Sequence, residues 1–154
     1  MRKIIISDTS CLILLHKIDQ LPLLKSLFSE VLITSTIASE FGRELPEWII
    51  IKDPTNPHYQ HILTTIVDAG EASAIALALE QSFPLIILDD LKARKLASEL
   101  NLTFTGTLGI IIEAKLSGKI ESVKPLLIKI KQTNFHLPVE LENKILHKAG
   151  ESSL

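Results

Sequence analysis

Acidic residues follow two of the most hydrophobic segments of the chain. Asp8 comes directly after Ile4-Ile5-Ile6-Ser7, and Asp89 and Asp90 follow Leu85-Ile86-Ile87-Leu88. Runs as apolar as these are typical of central parallel strands, which are buried on both faces. In open α/β sheets, ligands bind beyond the carboxyl ends of the strands, where the strand order reverses. If the two strands are neighbours at that point, Asp8 and Asp89 meet in one cleft.

Carboxylates that converge in this way need a cation or a proton between them, because like charges a few ångströms apart repel each other. Mg²⁺ suits such a place, since it prefers oxygen ligands, binds few carboxylates and retains water that a substrate phosphate can replace. The spacing of the acids therefore indicates a site for a hard divalent cation at this edge of the sheet.

Each acid also has a structural alternative. Asp8 can begin the turn into the first helix, and Asp90 can cap the helix that follows it. Glu71 stands three residues after Asp68, the spacing of a capping box, where the helix dipole stabilises an acid. Glu40 lies late in its predicted helix, where the dipole disfavours an acid, and no Lys or Arg stands four residues away. A functional reason for Glu40 is therefore favoured.

Short β-branched runs alternate with helical patterns along the chain. Strands are predicted over residues 3–7, 31–33, 48–52, 85–88 and 102–104. Helices are predicted within residues 8–27 and over 34–41, 56–67, 69–81, 91–100, 107–116, 122–132 and 138–148. Such alternation favours a three-layer α/β/α fold around a parallel sheet of about five strands. We expect one domain over residues 1–148 and a loose tail over residues 149–154.

Composition restricts the class of protein. With 154 residues, 46% hydrophobic and 22% charged, the chain is typical of one globular domain. No apolar run approaches the roughly 18 residues that a membrane helix needs, so no membrane association is expected. The net charge of −2 excludes a protein-wide cationic field, so a nucleic-acid partner needs a local basic patch or metal ions.

The cysteine count and the amino-terminal charges bear on the compartment. The single cysteine, Cys11, excludes an internal disulfide and a cysteine-rich zinc site, which fits a reducing cytoplasm. A secretory signal is not expected, because Asp8 interrupts the apolar run that follows Arg2-Lys3. Neither Cys11 nor Ser10 has a matched base among the segments that carry the acids, so a covalent nucleophile is not expected.

Four segments, taken in order, resemble a PIN domain, a metal-dependent nuclease fold. They are the sequences ISDTS at 6–10, TSTIASEF at 34–41, GEASAIALA at 70–78 and IILDD at 86–90. The resemblance covers roughly residues 1–117, with the helices of 118–148 beyond it. It is closest to PIN-related bacterial and archaeal proteins that also carry a Gly-Thr-Leu-Gly segment, here 106–109, and a basic helix after the last Asp.

The resemblance implies a sheet order of 3-2-1-4-5, which places the strands before Asp8 and Asp89 side by side. It implies that Asp8 and Asp89 bind Mg²⁺ or Mn²⁺ and that Glu40 and Glu71 complete the acidic cluster. Ser10 would donate a hydrogen bond to a ligand carboxylate or to a metal-bound water.

Two positions depart from a simple match. Glu71 stands where many PIN nucleases have Asp, so its longer side chain can move the ligand position. The doubled Asp89-Asp90 offers two candidates for one metal ligand. Asp89 is preferred because it adjoins the strand end, whereas Asp90 can cap the next helix.

Polar and basic residues around the acids have candidate supporting roles. Lys92, Arg94 and Lys95 follow the acids directly and could receive a phosphate backbone. Their alternative is a solvated helix face, with Lys95 paired to Glu99 one turn later. Thr107 could support the site or could cap its own helix.

The function implied by the resemblance is metal-dependent hydrolysis of RNA phosphodiester bonds by an endoribonuclease. The bound metal would activate water and neutralise charge, which suits motifs that contain acids and no histidine. The chain would act as the toxin of a toxin–antitoxin pair, with a small antitoxin protein as partner and a homodimer as its assembly. The alternative is a PIN-like module that binds nucleic acid or protein with little or no catalysis. A phosphatase of the haloacid dehalogenase type is disfavoured, because Ser10 stands where that family needs its second Asp.

Overall fold

Five parallel strands form one sheet in the computed structural model, which describes residues 3–152. The strands are β1 (Ile4–Ser7), β2 (Val31–Ile33), β3 (Ile49–Ile51), β4 (Pro84–Ile87) and β5 (Thr103–Thr105). Their order is β3-β2-β1-β4-β5, and every neighbouring pair is parallel. The predicted α/β/α fold and the sheet order 3-2-1-4-5 are therefore confirmed.

Helices follow the strands along the chain and flank the sheet. They are α1 (Thr9–Lys17), α2 (Pro22–Phe28), α3 (Ser35–Phe41), α4 (Pro57–Leu63), α5 (Ala69–Leu79), α6 (Leu91–Glu99), α7 (Thr107–Leu116), α8 (Lys124–Lys131) and α9 (Val139–Lys148). The predicted elements recur with small differences at their ends. The segment before Leu27 is two helices because Asp19, at φ 57°, interrupts the helical backbone between α1 and α2.

Strands β1 and β4 form the centre of the sheet. Their pairing runs from Ile4 opposite Pro84 to Ser7 opposite Ile87. The ladder continues past both strands, since the Asp8 N–H donates to the Ile87 carbonyl at 3.0 Å. The chain enters β2 on one side of β1 and β4 on the other, so the strand order reverses here. Asp8 and the residues after β4 therefore leave the sheet at one edge, at the point where the order reverses.

The carboxyl-terminal helices pack as part of the same domain. Val123, Leu127 and Ile130 are fully buried, so the apolar side of this segment belongs to the core. Lys131 on α8 forms an ion pair with the buried Glu142 on α9 at 2.5 Å. This pair joins two helices that lie outside the segments carrying the sequence motifs.

The segment after α9 differs from the predicted loose tail. Ala149 is buried, and the Glu151 carboxylate accepts hydrogen bonds from Lys115, Ser122 and Val123 at 3.0, 2.5 and 2.8 Å. The prediction of a tail over 149–154 is thus wrong for residues 149–151, because a long-range polar anchor fixes them. The last two residues, 153 and 154, lie outside the described residues.

None of the helices described over residues 3–152 is both long enough and apolar enough to cross a bilayer.

The anchor formed by Glu151 predicts an acid-sensitive contribution to stability. Burial alone would raise the pKa of Glu151, but the hydrogen bonds from Ser122, Val123 and Lys115 outweigh it and lower the pKa from 4.5 to about 2. A lowered pKa in the folded state stabilises the protein above the unfolded value, and this is lost as the pH falls from 4.5 towards 2. Glu151→Gln should therefore destabilise the protein at pH 7 and much less near pH 2, as measured by urea unfolding.

The exposed Glu121 provides a matched control, since Glu121→Gln removes a nearby charge without touching the anchor. A stability difference between wild type and Glu151→Gln that stays constant from pH 7 to pH 2 would contradict the role given to this carboxylate.

Candidate active site

Asp8 connects the ends of the two central strands. Its side chain is 2% exposed and caps α1, where Oδ1 accepts from the Cys11 N–H at 2.9 Å. Oδ2 accepts from the N–H of Asp89 at 3.1 Å. The Asp8 carboxylate therefore caps α1, which is the structural role that the sequence left open. It also fixes the backbone N–H of Asp89.

Asp89 is oriented by the start of α7. Its Oδ1 accepts from the Thr107 N–H at 2.8 Å, and its Oδ2 accepts from the Thr107 hydroxyl at 2.6 Å. Gly106 precedes Thr107, and a Cβ at that position would stand 2.9 Å from Asp89 Oδ1. A glycine therefore lets the carboxylate approach α7 closely. The predicted supporting residue Thr107 is in contact with Asp89, while the cap position of α7 belongs to Gly106.

The carboxyl group of Asp8 titrates far from its ordinary range. Its pKa rises from 3.8 to about 7, first because the group is buried and second because Asp89 lies beside it. The Cys11 and Asp89 N–H groups act in the opposite direction, and Glu71 adds a smaller increase. Within residues 3–152 the ion pairs are Lys115–Glu151 and Lys131–Glu142, so no Lys or Arg forms an ion pair with this cluster, and Arg94 is the basic residue that lies near Asp89, beside Gly106.

Glu71 forms the capping box that its spacing predicts. Its N–H donates to Asp68 Oδ1 at 2.9 Å, and its Oε1 accepts from the Asp68 N–H at 3.3 Å. The pKa of Glu71 rises from 4.5 to about 7 because of burial, then because of the charges of Asp68 and Asp90. Asp90 in turn caps α6 by accepting from the Ala93 N–H at 3.0 Å. Glu71 and Asp90 therefore cap helices and also add negative charge to the acidic cluster.

The Glu40 side chain contacts the amino-terminal ends of both α1 and α5. Its Oε1 accepts from the Thr9 hydroxyl at 2.5 Å. The carboxylate also rests against Gly70, where a Cβ would collide with it. Thr9 was not predicted from the sequence, and its only signal is its position directly after Asp8.

Ser10 does not contact the acidic residues, and its predicted bond to a metal-bound water stays a prediction. Its side chain is exposed and lines a separate cavity with Lys17 and Asn134. Among the described residues, Ser10 forms no side-chain hydrogen bond to the acids, and the hydroxyl that does contact one of them is that of Thr9.

The three basic residues after the acids separate into two groups. Arg94 donates from Nε to the Leu88 carbonyl at 2.7 Å, and its guanidinium lies over the Phe104 ring, 5.5 Å from the centroid. Arg94 therefore holds the backbone in place at the residue before Asp89. Lys92 and Lys95 are exposed, and in the described chain neither forms an ion pair, so the alternative Lys95–Glu99 pair is not formed.

The donor set fits a hard divalent cation in chemistry, although a complete metal site is not assembled. All five acids offer carboxylate oxygens, the ligands that Mg²⁺ and Mn²⁺ prefer. Asp8 and Asp89 are joined by the bond from the Asp89 N–H to Asp8 Oδ2, and each bonded oxygen retains a further lone pair. Over residues 3–152, however, no three side chains of His, Cys, Asp or Glu are arranged to hold a metal ion.

Buried Cys11 beneath the site is not a nucleophile candidate. Burial first, and the charges of Asp8 and Asp89 second, raise the pKa of its thiol well above the ordinary value. The thiolate form that would attack a substrate is therefore suppressed at neutral pH.

The raised pKa of Asp8 predicts an unusual pH dependence of stability in metal-free protein. The folded state binds more protons than the unfolded state between pH 4 and 7, so the free energy of unfolding falls as the pH rises through that window. Asp8→Asn removes the part of this pH dependence that is due to Asp8. The free energy of unfolding of the variant should therefore rise relative to that of wild type from pH 4 to pH 7. Urea unfolding in the presence of a chelator measures it.

Asp19→Asn is the matched control, since Asp19 is an exposed aspartate whose left-handed backbone asparagine also tolerates. Parallel stability curves for wild type and Asp8→Asn between pH 4 and 7 would contradict the proposed effect of Asp8.

Comparison with known families agrees with this geometry. Residues 4–151 match a family model described as a PIN domain. The match includes the carboxyl-terminal helices and so extends past residue 117, where the sequence motifs end. No curated protein and no solved structure matches the chain significantly. Because the family model covers nearly all of the chain and the sheet order agrees with it, this protein belongs to the PIN domain family.

Proposed function

We propose that this chain is a metal-dependent endoribonuclease that hydrolyses RNA phosphodiester bonds. PIN domains are generally nucleases, and they typically use divalent metals. The observation that carries the proposal is the junction of Asp8 and Asp89 at the carboxyl ends of β1 and β4. No Lys or Arg among the described residues forms an ion pair with either carboxylate, so the position favours a cation and, with it, an anionic substrate.

Asp8 and Asp89 are the residues that would hold Mg²⁺ or Mn²⁺, with Glu71, Asp90 and Glu40 around them. When bound, the cation supplies an activated nucleophile at neutral pH and neutralises charge on the phosphate. The chain supplies orientation: Thr107 fixes both oxygens of Asp89, and Thr9 fixes Glu40. Preorganised donors of this kind avoid reorganisation during the reaction.

A second candidate is a PIN-like module that binds nucleic acid or protein with little or no catalysis. It is favoured by one specific observation, namely that Glu71 and Asp90 are engaged in helix caps. If these caps persist in solution, only Asp8 and Asp89 remain as close ligands. The cleavage experiments below separate this candidate from the nuclease.

The biological setting of the nuclease is a further part of the proposal. We infer a toxin of a toxin–antitoxin pair that acts as a homodimer in the cytoplasm, with RNA as substrate and a small antitoxin protein as partner. Exposed Lys92 and Lys95 support contact with a phosphate backbone. The gene immediately upstream tests this setting, because a small open reading frame of antitoxin type is expected there.

Removal of either central carboxylate should reduce RNA cleavage. Asp8→Asn and Asp89→Asn are each expected to lower the metal-dependent rate at least tenfold, about 1.4 kcal/mol of transition-state stabilisation. Asp19→Asn should leave the rate unchanged. Labelled RNA incubated with Mg²⁺ or Mn²⁺, and with a chelator in parallel, provides the measurement.

Equal cleavage by wild type and both variants would remove the two carboxylates from the reaction. Cleavage that persists in the chelator would contradict the metal dependence. If wild type binds RNA and never cleaves it, the binding module replaces the nuclease.

Glu40 provides the second test, because it separates a functional carboxylate from a surface one. If Glu40 belongs to the cluster, Glu40→Gln relieves repulsion in the metal-free protein, so stability should hold or rise slightly. Cleavage should nevertheless fall about tenfold or more, since opposed effects on stability and activity are expected at functional sites. Thermal unfolding and the RNA cleavage rate measure the two effects.

Glu44→Gln is the control, since Glu44 is an exposed glutamate four residues further along the chain. If Glu40→Gln cleaves RNA as fast as Glu44→Gln does, Glu40 lies outside the reaction.

A further inference from the structure

A cavity of about 770 Å³ opens beside the acidic site. Asp89 and Gly106 form part of its wall, and α9 contributes Leu141, Lys144 and Lys148. The volume lies within the range of about 300–1,000 Å³ that is typical of ligand sites. Because Asp89 belongs to both, a ligand in this cavity would adjoin whatever occupies the acidic site.

The floor of the cavity is apolar and partly aromatic. Phe104, Leu108, Ile112, Phe135 and Leu141 line it, and each is only partly buried against the core. Phe104 is occupied on one face by Arg94. Phe135 has no aromatic partner among the described residues. A flat apolar group would find both contact area and an aromatic face here.

The charged groups around this floor are predominantly basic. Arg94, His136, Lys144 and Lys148 line the cavity, and Asp89 is the single acid among the lining residues. Lys144 and Lys148 are exposed, stand one turn apart on α9, and form no ion pair within residues 3–152. Residues at this spacing share one helix face, so two ammonium groups are presented together.

We infer that this cavity binds the nucleotide of single-stranded RNA that adjoins the scissile phosphate. Its base lies against Phe135 and the apolar floor, and Lys144 and Lys148 contact the neighbouring backbone phosphates. The inference rests on the proposed nuclease function and adds to it a subsite for an unpaired base.

The apolar floor and the lysine side chains together favour single-stranded RNA as the occupant. A purely apolar ligand would leave the lysines without an anion, and a simple anion would leave the aromatic floor uncovered. Single-stranded nucleic acid satisfies both, since its bases stack on aromatic side chains while its backbone follows cationic groups. Bases in a duplex are already paired and stacked, so they are not available to this floor. An acidic segment of a partner protein is the competing occupant.

Binding in a chelator tests the subsite without turnover. The probes are a short fluorescein-labelled single-stranded RNA of mixed sequence and a matched strand of the same length with abasic riboses. Fluorescence anisotropy over a range of salt concentrations measures both affinities. Wild type should bind the base-containing strand at least about fivefold more tightly, because stacking adds to the phosphate contacts.

Two variants separate the floor from the lysines. Phe135→Leu, which keeps an apolar side chain, should reduce the preference for bases and leave the salt dependence unchanged. Lys144→Gln combined with Lys148→Gln should weaken both strands and lower the slope of log affinity against log salt by about 0.7 for each phosphate that the variant no longer neutralises. Lys25→Gln with Lys129→Gln, two exposed lysines outside the cavity, is the charge-matched control.

The subsite is overturned if abasic RNA binds as tightly as the base-containing strand, if the Lys144 and Lys148 variant binds like its control, or if wild type binds neither probe. An acidic protein partner as the true occupant would give the last of these results. Failure of the nuclease proposal is distinct, because it is read from cleavage by Asp8→Asn and Asp89→Asn rather than from binding. Cleavage that depends on Asp8, together with unaltered binding by the cavity variants, would remove the subsite alone.

Discussion

The hydrogen bond from the Asp89 N–H to Asp8 Oδ2 is the contact on which the arrangement of the acidic cluster depends. It connects the residue after β1 to the segment after β4, the two strands between which the sheet order reverses. Asp8 is buried here beside a second carboxylate, and its pKa of about 7 is the energetic consequence. The fold therefore places two acids together at a cost in stability that a bound cation would reduce.

Helix starts offset part of this cost. Asp8 caps α1, Asp90 caps α6, Glu71 completes the capping box of α5, and Asp89 accepts from the first N–H of α7. Unpaired N–H groups and the positive end of the helix dipole both favour a carboxylate at such positions. At this edge the bonds that cap the helix starts therefore also orient the acids.

The local sequence pattern predicted most of the strands and helices. Apolar runs that end in acids identified β1 and β4, and cap residues such as Asp68 and Asp90 marked helix starts, because these signals lie within a few neighbouring residues. Contacts between distant segments were not predictable in this way. The Thr9–Glu40 bond spans 31 residues, and the Glu151 anchor joins the end of the chain to Lys115. The bond from Arg94 Nε to the Leu88 carbonyl was likewise not predicted, because only the tertiary fold supplies that partner.

The central claim is that Asp8 and Asp89 form a place for a divalent cation. Thermal unfolding of the chelator-treated protein, with and without millimolar Mn²⁺, tests it most directly because it needs no substrate. A cation that binds the folded state raises the melting temperature, and the rise grows with its concentration. The account predicts such a rise for wild type and a much smaller one for Asp8→Asn. The same rise in both proteins would contradict it.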